Sequence, residues 1–426
     1  MKAASALSSE APVAGAARSV RAARPLRDAT ELRDAVSRIR AALTRDVPAE
    51  RIADTLGATF ETLRSRTSAA RRDTLRKIGR SSGWSYALLD ESVDALLRPF
   101  TRRGLDALAE RVRARREVLG FVMPGNVPGA GIHELTLALL AGAGVVVKAA
   151  SAEPVFFNEF ARAISEIDRS VGERLTVFAW DRGRSDLTTT MRESVECLVA
   201  FGDDSTIEVL APGGRIIGFG SRLSAAVIGC DAACGTNLES AASAVARDVT
   251  LFEQHGCLSP HHVFVEAAST DTARGFAAAL AGELTKYARR LPPPARLPLE
   301  VAAAIRRERE VARWRELGGG EVALFEGRRL GWTVIFDPPA SITPSPGYRT
   351  VRVSVIANLD ELKARLAPAS GRLEAVAVAS ENPEAYAAAL RSLGVTYVSA
   401  PGAMQSPPLD WPHGGGAMLE LAGITP

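Results

Sequence analysis

From Glu117 onward, short apolar runs at 118–123, 145–147, 175–179, 197–201 and 216–218 alternate with stretches of helical length and periodicity. Runs of this length read as strands. Strands that alternate with helices build βαβ units, in which each crossover helix returns the chain to the same edge and leaves neighbouring strands parallel. The expectation is an open α/β sheet whose ligand-binding loops follow the carboxyl ends of its strands. Ahead of it, from Ala29 to about Arg115, apolar residues at helical spacing, such as Leu32, Val36, Ile39 and Leu43, read as amphipathic helices. They form a helical lead-in.

Further along, a long helix is expected over about 237–254, then the sequence His255-Gly-Cys-Leu-Ser-Pro260 and a strand over 262–266. Helices over 270–290 and 299–317 follow, split by the Pro-rich 291–298, and strands recur near 322–325, 333–336, 351–356, 375–378 and 396–399. The pattern divides the chain into a flexible tail (1–27), a lead-in with a Rossmann-like nucleotide-binding domain (28–250), and a second α/β domain (251–400). The Gly/Pro-rich end, 401–426, returns towards the first domain.

At 426 residues and 46% hydrophobic content, each domain can fill a core. Charged residues make up 24% and net to +3, so no basic face argues for nucleic acid; a small molecule is the default partner. Cys197, Cys230, Cys234 and Cys257 lack paired metal-ligand spacing, and imply neither a metal nor a disulfide framework. No apolar run reaches the roughly 18–20 residues a membrane span needs. The opening residues are rich in Ala, Ser and Arg, as in an organelle transit peptide, but lack a secretory apolar core. We expect a soluble, cytoplasmic protein, compatible with a homo-oligomer.

Of the 52 basic residues only five are lysine, and the chain holds five Asn, two Gln and five His. Against that background a Lys or Asn beside an apolar run is informative. Cys257 sits at a sharp helix-to-strand transition with Glu253-Gln254-His255 before it and His261-His262 after it, company that can lower a thiol pKa or take its proton. A small core thiol is the ordinary alternative, and the other three cysteines, in or beside apolar strands, read as packing. Asn126, in Pro124-Gly-Asn-Val-Pro128, is held by a rigid turn as an oxyanion donor must be, or is simply a turn residue. Lys148 ends the run Gly144-Val-Val-Val-Lys148, where an ammonium can meet a ribose hydroxyl or a phosphate. The Gly-rich turns 124–131, 202–205 and 218–221 follow strands, but none has the GxGxxG form.

Taken together, Val118-Leu-Gly-Phe-Val-Met-Pro-Gly-Asn-Val-Pro128, Leu139-Leu-Ala-Gly-Ala-Gly-Val-Val-Val-Lys148, Phe201-Gly-Asp-Asp-Ser-Thr206 and the segment 248–260 resemble the acyl-CoA reductases of bacterial luminescence, the LuxC type. Those are distant members of the aldehyde dehydrogenase superfamily. The resemblance runs from about Arg115 to Glu266, and more loosely to Trp411-Pro-His-Gly-Gly-Gly416. It implies an aldehyde-dehydrogenase-like fold, with Cys257 as the acylated nucleophile, Asn126 as the oxyanion donor and Lys148 as a ligand of the adenosine ribose. Gly202 and Ser205 would lie against the cofactor pyrophosphate, with Gly220 a further cofactor contact. Ser151 stands where NAD-selective relatives commonly carry an acid, which implies NADPH, with NADH tolerated.

Where ordinary aldehyde dehydrogenases carry a Glu-Leu-Gly-Gly segment with a water-activating Glu, this chain has Gly218-Phe-Gly-Ser221. The implied reaction is reductive. An acyl-CoA acylates Cys257, coenzyme A leaves, and hydride transfer releases an aldehyde. The rivals are a CoA-acylating aldehyde dehydrogenase, an acyl-phosphate reductase, and a nicotinamide-independent acyl-transfer or acyl-binding protein. The proton donor is left open among His255, His261 and His262.

Overall fold

The computed structural model of the chain describes residues 25–425. Five strands form the first sheet: β1 (Val118–Val122), β2 (Gly144–Ala149), β3 (Leu175–Ala179), β4 (Cys197–Phe201) and β5 (Ile216–Phe219). Their order is β3-β2-β1-β4-β5 and every pair is parallel. That is the doubly wound order in which the sequence reverses direction at β1 and ligands gather at the carboxyl ends. Every residue of β1, β2 and β4 is buried, as continuous apolar strands must be when helices cover both faces.

The second sheet contains β6 (Leu223–Ile228), β7 (Pro260–Glu266), β8 (Ala323–Glu326), β9 (Thr333–Phe336), β10 (Thr350–Ile356), β11 (Leu373–Ala379) and β12 (Tyr397–Ser399), in the order β12-β11-β6-β7-β10-β9-β8. All its pairs are parallel except β8 with β9. The second sheet therefore begins at Leu223, before residue 251. Its interior strand β6, Leu-Ser-Ala-Ala-Val-Ile, escapes a reading by β-propensity because it is built largely from small residues, yet all six are buried.

The lead-in consists of five helices, Ala29–Leu43, Ala49–Arg64, Ala69–Ser82, Tyr86–Leu97 and Arg102–Ala109. Their apolar faces are the core of one side of the first sheet: Leu56, Phe60, Leu88 and Phe100 pack in one cluster with Leu119, Phe121, Val145 and Val147. Helix Ala29–Leu43 covers the other side, where Leu32, Val36 and Ile39 meet Val118 and Val146. The tail expected over 1–27 lies mostly outside the described residues. Pro25 bridges Ala179 at the end of β3, and Leu26 donates its N–H to the Ala179 carbonyl at 3.1 Å.

Two local expectations are corrected. The helix leading towards Cys257 ends at Thr250 rather than Gln254, because Phe252, Glu253 and Gln254 have φ of 53°, 52° and 63°, left-handed values that no right-handed helix can contain. Cys230 and Cys234, expected as packing, are exposed in the loop after β6, whereas Cys197 is buried in β4. Among the described residues no helix is long and apolar enough to cross a membrane.

Candidate active site

The turn after β1 is bonded to the loop that precedes β7, and Cys257 lies in that loop, three residues before the strand. The three left-handed residues ahead of it cost about 1–2 kcal/mol each, so the turn persists only because its surroundings over-determine it. On one side, the Phe252 N–H donates to Ser92 Oγ of helix Tyr86–Leu97 at 3.0 Å. On the other, the fully buried Glu253 carboxylate pairs with the equally buried Arg349 guanidinium. The Gln254 amide donates to the Pro260 and Thr350 carbonyls (2.8 and 2.9 Å) and accepts from the Thr350 N–H at 2.8 Å. The Cys257 carbonyl accepts from Ser224 Oγ of β6 at 2.6 Å. Cys257 as a residue is half-buried.

Its neighbour comes from the far end of the chain. His413 Nε2 is 4.0 Å from Cys257 Sγ, at the outer reach of a sulfur hydrogen bond, and His413 Nδ1 donates to Glu134 Oε1 at 2.6 Å. The Glu134 and His413 side chains are 4% and 12% exposed. Burial pushes the imidazole towards its neutral form, but the Glu134 charge and the bonds to Cys257 and Glu134 outweigh it, holding His413 well above the usual imidazole range. Burial likewise pushes Glu134 up, and the charge and hydrogen bond of His413 hold it below the usual carboxylate range.

The ring orientation is fixed by packing. Phe219, the last residue of β5, stacks on His413 with centroids 4.4 Å apart at 28°, and Trp411 stacks at 4.2 Å and 19°. Two near-parallel rings this close cannot share one face, so the imidazole is sandwiched and its ring nitrogens point edgewise to Cys257 and Glu134. The turn that presents it runs through Gly414, Gly415 and Gly416, all at positive φ. Gly414 donates its N–H to Glu374 Oε1 of β11 at 3.4 Å.

The histidines beside Cys257 in sequence do not share this position. His255 sets its ring edge-on to Trp84 and Tyr348. His261 Nδ1 bonds Ser345, and His262 Nε2 bonds Ser354 Oγ at 2.8 Å. Burial lowers the three to about 4, 4 and 3 respectively. All three rest neutral at pH 7.

Asn126 stands at the cleft, its Nδ2 donating to the His255 carbonyl at 2.8 Å. The turn after β1 is thus joined to the cysteine loop, and Asn126 and Cys257 are brought to one site. Lys148 and Ser151 lie further along the same sheet edge. Lys148 is 8% exposed, and its ammonium makes no hydrogen bond or ion pair among the described residues; it sits 5.6 Å from the Trp180 ring centroid. Burial, then the Arg182 charge, lowers its pKa, and Asp181 opposes them. Ser151 Oγ donates to Asp181 Oδ1 at 3.3 Å.

Gly202, Ser205 and Gly220 meet at the ends of β4 and β5. A Cβ at Gly202 would lie 2.9 Å from Thr206, and one at Gly220 only 2.4 Å from Asp204 Oδ1. Close packing of the two turns therefore accounts for both glycines. Ser205 Oγ donates to Asp203, whose carboxylate also caps the helix Asp204–Leu210. An open cavity of about 310 Å³ runs beside them, lined by Asp204, Ile207, Glu208, Gly220, Ser221, Arg222, Gly371 and Arg372.

His413 and Glu134 were absent from the expected site. Their signals were present: His413 falls in the loosely matching Trp411–Gly416 stretch, and Glu134 is the only acid in Ile132–Leu140, an otherwise largely apolar helix. What the sequence lacked was the distance between them, 279 residues in the chain and 2.6 Å in space.

The long-chain acyl-protein thioester reductase of Aliivibrio fischeri is 25% identical over 249 residues, covering 57% of this chain and 49% of that protein. The enzyme of the same name from Photorhabdus laumondii subsp. laumondii is 27% identical over 178 residues, covering 40% and 36%. The chain thus spans about half the length, or less, of these curated relatives. Among solved structures, an oxidoreductase from Marinobacter aquaeolei superposes with a TM-score of 0.70 at 17% identity, over 88% of this chain and 83% of that one. The NADP-dependent glyceraldehyde-3-phosphate dehydrogenase from Bacillus halodurans C-125, complexed with NADP, superposes at 0.65 and 16% identity, over 88% and 83%. The fold is that of the aldehyde dehydrogenases. The sequence profile described as acyl-CoA reductase (LuxC) matches residues 96–422, and the chain belongs to that family.

Proposed function

We propose that the protein reduces an acyl thioester to an aldehyde with NADPH, holding the acyl group on Cys257 between the two half-reactions. The observation that carries this reading is the half-buried Cys257 in the loop before β7, with His413 Nε2 4.0 Å from its Sγ. A thiolate is the nucleophile such a transfer needs. One N–H of the Asn126 amide is used by the His255 carbonyl; the second is free to donate to the oxygen on the acyl carbon as negative charge develops there.

A nicotinamide dinucleotide fits the chain's residues on one observation: Lys148, largely buried at the carboxyl edge of β2, has an ammonium without a hydrogen bond or ion pair among the described residues, available to an anion or a hydroxyl from outside the protein. Reduced nicotinamide supplies the hydride when bound. Lys148 and Arg182 offer two cations to a 2′-phosphate, which favours NADPH, while Asp181 opposes that phosphate and can accept from the ribose hydroxyls of NADH. NADH is therefore tolerated as the weaker cofactor.

Water must be kept from the acyl-enzyme. The segment 218–221 carries no carboxylate, and a side chain at Gly218 would meet Ile207 at 2.5 Å, so an acid cannot be fitted there without moving that residue. The acyl donor is taken to be an acyl-CoA. An acyl group on another protein's thiol is the second reading, favoured by what the Aliivibrio and Photorhabdus relatives are called; the chemistry at Cys257 is the same. The test is a panel of acyl-CoA thioesters, an acylated protein thiol and an acyl phosphate, each with NADPH and NADH, following nicotinamide absorbance and trapping aldehyde. Aldehyde from a thioester, faster with NADPH, is expected. Turnover with the acyl phosphate alone, or aldehyde formed without nicotinamide oxidation, would overturn the proposal.

A further inference from the structure

Among the described residues, the ionisable side chains that flank Cys257 in the sequence are held elsewhere. Glu253 is locked to Arg349, His255 to its aromatic neighbours, and His261 and His262 to serines. Among the described residues the Sγ atom has a single hydrogen-bonding neighbour, His413 Nε2. The other ring nitrogen is bonded to Glu134, and the Phe219 and Trp411 rings leave the imidazole no freedom to turn. A buried carboxylate, an imidazole between two rings and a thiol thus lie in one line, the geometry in which a base is oriented by a third group.

We propose that Cys257, His413 and Glu134 form a proton relay: His413 takes the thiol proton of Cys257 and hands it to the departing thiol of the acyl donor, with Glu134 as the positioning residue. The role of Cys257 as acyl carrier is taken from the function proposed above. In the first half-reaction the Sγ–H bond breaks, its proton goes to Nε2, and Sγ bonds the acyl carbon. The bond from that carbon to the donor sulfur then breaks with its electron pair, and the leaving thiolate takes the proton from Nε2. His413 is left neutral beside a thioester. In the second, hydride reaches the acyl carbon, the C–Sγ electron pair returns to sulfur as the aldehyde departs, and His413 takes one proton from solvent. Each aldehyde therefore consumes one proton, which in the resting enzyme lies between Sγ and Nε2.

The charges facing His413 agree with that resting state. Glu134 is ionised at bonding distance; His133, on the same helix, is lowered to about 4 by burial and adds no charge at neutral pH. Glu374 and Arg222, paired at 3.4 Å beside Gly414, nearly cancel. An imidazolium at His413 is favoured by the one uncompensated anion on its Nδ1 side.

The test reads the thiol without any substrate or cofactor. Alkylation of Cys257 by iodoacetamide is followed against pH on its own peptide by mass spectrometry, so that exposed Cys230 and Cys234 do not count. Wild-type Cys257 should react well down to about pH 6, whereas His413→Gln should slow it by about tenfold or more at neutral pH and converge with wild type where any thiol ionises. Glu134→Gln should fall between them, with Glu134→Asp partly restoring the rate. Superimposable profiles for wild type and a folded His413→Gln would overturn the relay. Should that variant not fold, the ultraviolet thiolate absorbance of wild type minus Cys257→Ala decides: a thiolate at neutral pH supports the relay and its absence refutes it. If the thiolate is present but no thioester acylates Cys257, the proton transfer from Cys257 to His413 stands, and the hand-over to a donor thiol falls with the reductase reading.

Discussion

The cysteine loop holds three of the chain's five histidines within five residues of Cys257, while the C-terminal return holds one, 156 residues away. Only the distant one meets the thiol. The near ones are carried off by the geometry that makes the loop: β7 starts at Pro260, so His261 and His262 belong to a strand and are drawn to serines of the 345 turn and β10. His413 is brought in by a glycine turn and held between rings from two parts of the chain. Burial acts on both groups alike, and the outcome differs because only His413 has a carboxylate on its second nitrogen.

The contrast yields predictions of decreasing size. Cys257→Ser should reduce aldehyde formation by at least roughly 10⁴-fold, the scale of losing a nucleophile, with nicotinamide binding retained in a fluorescence titration. His413→Gln should lower turnover by about 10²- to 10⁴-fold, as loss of a positioned acid–base group does. Under the same assay His261→Gln and His262→Gln should change turnover per folded molecule by no more than about threefold. For His262 the cost should appear instead in thermal unfolding, at about 1–3 kcal/mol, because Ser354 loses a buried partner. A large kinetic defect in either would erase the distinction between the two regions.

Asn126→Ala should cost about 10²- to 10³-fold in turnover, the usual scale for one oxyanion donor. A loss confined to thermal stability would make the residue a tie between the β1 turn and the cysteine loop and nothing more. Lys148→Ala should raise the KM for NADPH about ten- to a hundredfold, the value of a hydrogen bond to a charged group, with kcat less affected; an unchanged KM would remove Lys148 from the cofactor site.

The pH dependence separates the histidines again. His413 is held above the usual imidazole range, so it keeps its proton through neutrality, and the first half-reaction should fail only as the pH rises through that elevated value. His255, His261 and His262 are lowered to about 4, 4 and 3 and stay neutral at pH 7. Acylation rates measured by rapid quench should therefore show an alkaline limb and none near the ordinary imidazole value of about 6.5. A limb there would mean that an unshifted histidine carries the proton.

Much of this was legible in the sequence. The apolar runs of the first sheet became β1 to β5 with small changes at their ends, because parallel strands buried on both faces leave a strong local signal. Cys257, Asn126 and Lys148 stood out because their surroundings are apolar, turn-forming or otherwise poor in their residue type. β6 was lost because alanine and serine carry little strand signal, and the end of the helix at Thr250 because three left-handed residues without glycine leave none. The Glu134–His413 pair could not be found by reading along the chain: its parts come from opposite ends of the matched region, and nothing local says that a glycine turn at 414–416 swings towards the end of β5.

The central claim, that Cys257 is the acyl carrier, is tested most directly by isolating the enzyme after mixing with an acyl-CoA in the absence of nicotinamide, mapping the adduct by peptide mass spectrometry, and then adding NADPH. The account predicts one acyl group per chain on the Cys257 peptide, lost on addition of NADPH with release of an equal amount of aldehyde. An adduct on Cys197, Cys230 or Cys234, or an adduct on Cys257 that NADPH leaves in place, would contradict it.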